Sequence, residues 1–357
     1  MSWILAFAGF AALIILHELG HFAAAKAVGM RVERFSLFFG RTPLRFQRGE
    51  TEYGIGWLPL GGFVKITGMN PQEEIPAEAA PRAYYRQPVW KRLVVIAAGP
   101  AVNIVLAFVI LMGLFWAIGE ARATDRVEQV TTGAPAAAVL QKGDRIVTVD
   151  GRRGDPDALR KQIATHRCAG AQRDGCRAAE PVKIEILRAG ERRTIEARPV
   201  YSAENERPLL GFAFDSIRLD VGPLRAAELS VDQMWVFTSG TVTTIAQIFK
   251  AEKRKEISGV VGSYEVTRQS IQLGVREGFF LLAVISLSLG VINLFPFLPL
   301  DGGHIFWALA EKVRGRPIAF SVMEKAGFVG FALVIGLFFI GFTNDIGRLT
   351  GEGFDVR

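Results

Sequence analysis

Cysteine and histidine are scarce in this chain of 357 residues, which has two of the first and four of the second. So few cysteines exclude a disulfide-built scaffold. Charge is thin too. Asp, Glu, Lys and Arg make up 22% of the residues, while 50% are hydrophobic, and soluble domains carry roughly 25% charge. That balance excludes a disordered chain. There is no internal repeat, no long low-complexity tract and no collagen period. No basic residue precedes the first apolar run, Met1 to Leu16. A secretory signal needs one, so Ala23-Ala24-Ala25 is not read as a cleavage site.

What is abundant is uncharged chain. Leu93 to Ile118, Phe279 to Leu300 and Ala326 to Asn344 run for 26, 22 and 19 residues without a charge. A bilayer core about 30 Å thick needs about 20 apolar residues per helix. The first run reaches that length only by continuing through His17, Glu18 and His21 to Ala25. The sequence therefore predicts four transmembrane helices, at about 3–27, 93–118, 279–300 and 326–344. The net charge of +7 invites a nucleic-acid reading, but its distribution argues against one. Eleven Lys or Arg lie from Lys26 to Arg92, beside two spans, and none precedes the first span. This asymmetry places the 26–92 loop in the cytoplasm and the long 119–277 segment outside.

The chain divides into an N-terminal membrane core (1–118), a segment of short β-like runs (119–205), an extracytoplasmic or interfacial segment (206–277) and a C-terminal membrane core (278–357). Within the first core, residues 52–69 hold two apolar stretches flanking Gly61-Gly62, which reads as a β-hairpin. It is too apolar for a solvated loop and is expected to enter the membrane where protein covers its backbone. Gly99-Pro100 in the second span marks a bend or a close helix contact. The string Gly133-Ala-Pro-Ala-Ala-Ala-Val-Leu-Gln-Lys-Gly-Asp-Arg-Ile-Val-Thr-Val-Asp-Gly151 resembles a PDZ domain, an α+β fold. Met234 to Phe249 lacks charge but is short, so it reads as an interfacial helix before a fifth span.

His17-Glu18-Leu19-Gly20-His21 is an H-E-x-x-H motif. On a helix, residues i and i+4 share a face, so both imidazoles can bind one Zn²⁺. Glu18 lies between them and can reach a water beside the metal. Three ionisable groups in one membrane helix are costly unless they pair or bind something. A catalytic zinc needs a third protein ligand and an open position. His166 sits in the PDZ-like segment, on the wrong side. Asp301 and His304 follow Asn293-Leu-Phe-Pro-Phe-Leu-Pro-Leu at the end of the third span. Spans one and three both run from outside to inside, so their ends meet at one depth. Charge and position then point to Asp301 as third ligand; by itself it would read more readily as a cap of the next helix than as a metal ligand. Asn293 and His304 read either as substrate-orienting groups or as interfacial packing residues.

The chain resembles the site-2 protease family of intramembrane zinc metalloproteases, in its bacterial RseP-like branch. The resemblance rests on H-E-x-x-H in span one, Asn293 to Gly302 matching N-x-x-P-x-P-x-L-D-G, a PDZ domain between spans two and three, the Gly-rich membrane hairpin, and Gly99-Pro100-x-x-Asn103. One departure stands out: the family's second Pro falls at Leu298, and here Pro299 follows it. The family implies a mainly α polytopic membrane protein with an inserted extracytoplasmic PDZ domain in the bacterial inner membrane. It implies zinc on His17, His21 and Asp301, with Glu18 as the catalytic base. Its substrates are single-pass membrane proteins such as anti-sigma factors or remnant signal peptides, cut in regulated intramembrane proteolysis, with no nucleic-acid partner. In such a scheme the hairpin, Gly61 and Gly62 included, holds an unwound substrate by strand addition, and Asn103 and Asn293 help to clamp it. The PDZ domain acts in the family as a substrate filter.

Cys168 and Cys176 fall in the segment placed outside, an oxidising compartment, and are expected to form a disulfide. Two other functions compete: a metal or ion transporter, which needs a polar path through the bilayer, and a membrane-anchored PDZ adaptor with a dead metal site, which an intact Glu18 disfavours.

Overall fold

The computed structural model describes residues 2–70, 72–203, 205–248, 250, 254 and 257–351. Two compact units form: Met1–Ala117 with Gly222–Arg357, and Ile118–Val221.

The first unit begins with α1 (Ser2–Ala27), four strands and α2 (Val89–Ile118). The strands are β1 (Val32–Phe39), β2 (Leu44–Arg48), β3 (Thr51–Ile55) and β4 (Leu58–Ile66), in the order β2-β3-β1-β4. A two-residue turn, Gly49-Glu50, joins β2 to β3, with Gly49 at φ +63° where glycine is favoured. The Glu50 carboxylate accepts from Lys26 Nζ at 2.7 Å and from the Arg82 guanidinium at 2.6 and 2.8 Å. The Arg82 hydrogen bonds hold the Glu50 carboxyl down at about 2. This network ties the sheet to the end of α1.

The 52–69 hairpin is corrected. β3 and β4 do not pair with each other; β1 lies between them, parallel to β3 and antiparallel to β4. Only Gly56 and Trp57 link the two strands, across the end of β1, and three peptide steps suffice for the roughly 10 Å between alternate strands. Gly61-Gly62 is not a turn: it lies inside β4, with Gly62 opposite Leu37. The glycine serves close approach instead, since a Cβ on Gly62 would stand 3.0 Å from both Glu18 Cγ and the Ser36 carbonyl oxygen. β4 is an edge strand of this sheet.

The second unit comprises β5 (Glu120–Val130), β6 (Arg145–Val149), α3 (Pro156–Ile163), β7 (Val182–Arg188), β8 (Glu191–Ala197), β9 (Val200–Ser202), β10 (Arg207–Leu209) and β11 (Phe212–Leu219). Its main sheet runs β11-β5-β6-β7-β8. Alternate residues of β7, Val182, Ile184 and Ile186, point into a core with Ile146, Leu159 and Phe214. The unit runs past residue 205, the end expected from sequence, because β11 returns to pair with β5. Asp155 caps α3 by accepting from Ala158 N at 2.7 Å. Cys168 and Cys176 are joined by a disulfide.

Asp144, 2% exposed, accepts a two-pronged pair of bonds from Arg188 at 2.7 and 2.8 Å. Burial alone would push its carboxyl up, but the Arg188 bonds and the Gln141 N–H hold it below the ordinary value. A carboxyl depressed on folding stabilises above its unfolded pKa, near pH 4, and that contribution fades as pH falls through the folded value. Arg188→Met is therefore expected to cost the second unit about 3 kcal/mol at neutral pH by leaving a buried charge unpaired, with the deficit shrinking below about pH 4. Hydrogen exchange of β6 and β7 amides in the full chain reads this out.

The first unit resumes with α4 (Pro223–Ala246), α5 (Val260–Leu273), α6 (Val275–Asn293), α7 (Asp301–Arg314) and α8 (Phe320–Thr350). Among the described residues four helices are long and apolar enough to cross a membrane: Ser2–Ala27, Val89–Ile118, Val275–Asn293 and Ser321–Thr350. α4 spans much of the 234–249 stretch read as interfacial and is not one of these four. It exposes Leu224, Val231 and Trp235. The third span ends at Asn293, earlier than the expected 300, because Pro296 and Pro299 cannot continue a helix. Asp345 of α8, fully buried, accepts from Gly259 N, Gly262 N and Ser258 Oγ at 3.1, 2.7 and 3.3 Å. It thereby satisfies donors at the start of α5 that the helix itself leaves free.

Candidate active site

α1 carries His17 and His21 one turn apart, and both are buried. Their Nε2 atoms lie 3.2 Å from each other. Asp301, in the first turn of α7, brings its Oδ2 to 3.2 Å from His17 Nε2 and 3.4 Å from His21 Nε2. Asp301 does not cap its helix: the N-cap is Leu300, and no side-chain capping bond forms. The 294–300 turn that delivers it contains Leu298-Pro299, joined by a cis peptide bond, where the sequence departs from the family spacing. Gly302 makes the delivery possible, because a Cβ there would collide with the Leu294 and Phe295 carbonyls.

α2 fixes one imidazole. His21 Nδ1 is 2.8 Å from the Val95 carbonyl oxygen. A carbonyl only accepts, so Nδ1 carries the proton, and a neutral His21 then presents a lone pair at Nε2. The disturbed turn of α2 lies here, since Pro100 has no N–H for the Ile96 carbonyl. Next to it, a Cβ on Gly99 would collide with His21 Nε2. The close contact expected at Gly99-Pro100 is thus a contact with His21.

With His21 neutral, its Nε2 lone pair and the Asp301 carboxylate are both acceptors, yet they face each other at 3.4 Å. Asp301 Oδ2 and His17 Nδ1 are buried without hydrogen-bond partners. A neutral His17 brings one proton at most to this triangle. A divalent cation resolves the conflict. Tetrahedral zinc with ligands at about 2.0–2.1 Å separates them by about 3.3–3.4 Å, close to the 3.2, 3.2 and 3.4 Å sides seen here. Two imidazoles and one carboxylate form a zinc donor set that leaves a fourth position open. Among the described residues His17, His21 and Asp301 are the group of this kind whose ligand atoms lie within reach of one ion.

These residues open onto a cavity of about 450 Å³, lined also by Glu18, Gly61, Gly62, Asn293, His304 and Pro299. Its apolar wall comes from Ile14, Ile96 and Leu289 together with Phe63 and Val64 of β4. Asn103 is not brought to it. It is fully buried between α2 and α6, where a Cβ on Gly290 would stand 3.5 Å from the Asn103 Cβ, and its carbonyl accepts from Ser286 Oγ at 2.9 Å. Gly290 lets the two helices close beside Asn103, whose side-chain amide is buried without a hydrogen-bond partner and does not line the cavity. Cys168, Cys176 and His166 belong to the second unit. The Val95 carbonyl is the functional group that sequence reading missed, because a backbone acceptor has no residue signature.

An H-E-x-x-H helix meeting an aspartate beside a cavity, within a core of membrane-length helices, is the architecture of a metal-dependent peptidase that works inside the bilayer. The family model described as peptidase family M50 matches residues 5–337, and the chain belongs to this family. It is similar to the zinc metalloprotease Rip1 of Mycolicibacterium smegmatis, with 32% identity over 93% of this chain and 94% of that one. Proteins named as candidate zinc metalloproteases in Brucella suis and Clostridium perfringens are each 30% identical, covering 94% and 97% of this chain and 92% and 98% of theirs. A PDZ domain of an SdrC-like protein from Listeria innocua aligns with 26% of the chain at 18% identity and a TM-score of 0.21, too low to carry an argument about the fold.

Proposed function

We infer that His17, His21 and Asp301 hold the zinc of this protein, an intramembrane zinc metalloprotease of the site-2 class, and that Glu18 is its general base. The triangle of three ligand atoms, in which the lone pair of a neutral His21 faces the Asp301 carboxylate, carries this reading. When held by these three residues, zinc would supply Lewis-acid chemistry and make a nearby water more acidic. Val95 keeps His21 in the tautomer that offers Nε2. Glu18 takes the proton of the attacking water and passes it to the leaving amine.

A peptide bond inside a helix is shielded, so the substrate must unwind locally. β4 supports the holding of such a segment. It is an edge strand, its residues Gly61 to Val64 line the cavity, and an edge offers unpaired backbone groups to an added strand. Substrates are single-pass membrane proteins, with anti-sigma factors and remnant signal peptides the classes implied by the family resemblance. The basic 26–92 loop supports a cytoplasmic position for the active site in a bacterial inner membrane. The bonded Cys168–Cys176 pair supports an extracytoplasmic position for the second unit. That unit is read as the PDZ domain, with a cavity of about 350 Å³ between α3 and the turn into β11.

The test is cleavage of a labelled single-pass helix co-reconstituted with the full-length protein. Fragments cut within or beside the membrane segment, lost on zinc chelation and regained on adding zinc, are expected. An intact substrate, or cleavage indifferent to chelation, would refute the reading.

A further inference from the structure

On the reading of His17, His21 and Asp301 as metal ligands, we propose that the ion pair between Arg92 and Glu311 is a positioning device that sets Asp301 against the two imidazoles. Arg92 stands in the first turns of α2 and Glu311 in the last turns of α7. The guanidinium grips the carboxylate in a two-pronged fork, Nη1 to Oε2 at 2.9 Å and Nη2 to Oε1 at 2.6 Å. The Arg92 side chain is only 10% exposed and lies over the Tyr84 ring, 6.0 Å from its centroid. Such a fork fixes direction as well as distance.

Three observations connect the pair to the metal site. First, no hydrogen bond fixes Asp301 Oδ2, so the placement of α7 decides where that oxygen sits. Second, little else of α7 is deeply buried: Phe306, Leu309 and Val313 are exposed, its fully buried residues are two glycines and Ala308, and Ile305 packs half-buried against the cluster that holds Val95 and Ile96. Glu311 is ten positions beyond Asp301, about 15 Å along the axis, so a grip there controls the helix direction. Third, Arg92 and Val95 are three apart on α2 and share a face. The same turn of α2 therefore holds His21 through the Val95 carbonyl and holds α7 through Arg92. One helical turn gives both halves of the ligand set a common reference, although Arg92 and Glu311 are 219 positions apart. Productive sites need such placement to within about 0.5 Å.

The experiment measures zinc affinity of the full-length protein in micelles by competition with a chelator, alongside thermal unfolding. Arg92→Lys keeps the charge but not the fork, and Glu311→Gln keeps the shape but not the charge. Each is expected to weaken zinc binding by about 10- to 100-fold, the effect of removing an outer support of a metal ligand. The exchanged pair Arg92→Glu with Glu311→Arg is expected to recover part of that loss. Asp345→Asn, which removes another buried carboxylate of the same unit away from the cavity, controls for lost stability and is expected to change zinc affinity by less than about twofold. Zinc affinity within about twofold of wild type in the folded Lys and Gln variants, or weakened no more than in Asp345→Asn, overturns the proposal. Wild-type zinc affinity in Asp301→Ala is a different result, and it refutes the metal reading itself.

Discussion

Glu18→Gln is expected to keep its zinc and lose peptide-bond cleavage. Gln fills the same volume, so the packing of residue 18 over Gly62 of β4 survives. The imidazoles of His17 and His21 and the Asp301 carboxylate are untouched. What disappears is a group able to take a proton from water and return it to the amine. General acid–base catalysis is worth about 10²–10⁴-fold, and in the proposed mechanism one side chain serves both transfers, so a fall towards the upper end of that range is expected. The measurement pairs the cleavage rate of a reconstituted membrane substrate with the zinc content of the same preparation. Normal cleavage by Glu18→Gln would remove the proposed base. A zinc-free variant would instead assign Glu18 to metal binding. Membrane fragments that accumulate in cells carrying this variant would identify the natural substrates.

Asp301→Ala is expected to act one step earlier, on zinc itself. The substitution leaves two imidazoles 3.2 Å apart at Nε2 and removes the oxygen that completes the triangle. Zinc bound by small protein sites is worth about 10–16 kcal/mol in total. Losing one ligand of a set this size costs roughly a quarter to a third of that, near 4 kcal/mol, or about a thousandfold in affinity. Removing a buried carboxylate that faces a lone pair also relieves a conflict in the metal-free protein. Zinc is therefore expected to leave Asp301→Ala under mild chelation while the metal-free variant melts no lower than metal-free wild type. Metal analysis after dialysis, with melting curves of both metal-free proteins, checks the two parts. A variant that keeps one zinc per chain would exclude Asp301 from the ligand set.

The consequences for the fold follow the same contrast between local and remote contacts. Helix α1 was legible because its signal is local: an apolar run of sufficient length with His17 and His21 at i and i+4. The spans through Leu93 to Ile118 and through α8 were legible for the same reason. The Gly61-Gly62 pair was not, because glycine is used both where a chain turns and where two backbones approach. The pairing of Gly62 with Leu37 of β1 and the packing of Glu18 against β4 distinguish the two. Asn103 shows a similar ambiguity, since a polar residue in a membrane helix reads as a substrate contact until Gly290 is seen opposite it.

The sequence by itself determined the chemistry on offer: an H-E-x-x-H helix, an aspartate at the end of an apolar span, and membrane-length helices to hold them. Tertiary structure decided which of these groups meet. It put Asp301 beside the imidazoles, used the Val95 carbonyl to set the His21 tautomer, placed β1 between β3 and β4, and turned the edge of β4 towards the cavity. The reason is range. Helix periodicity is written in neighbouring residues, whereas convergence of distant segments depends on how glycines, prolines and buried ion pairs let whole helices pack, and no short stretch of sequence contains both partners.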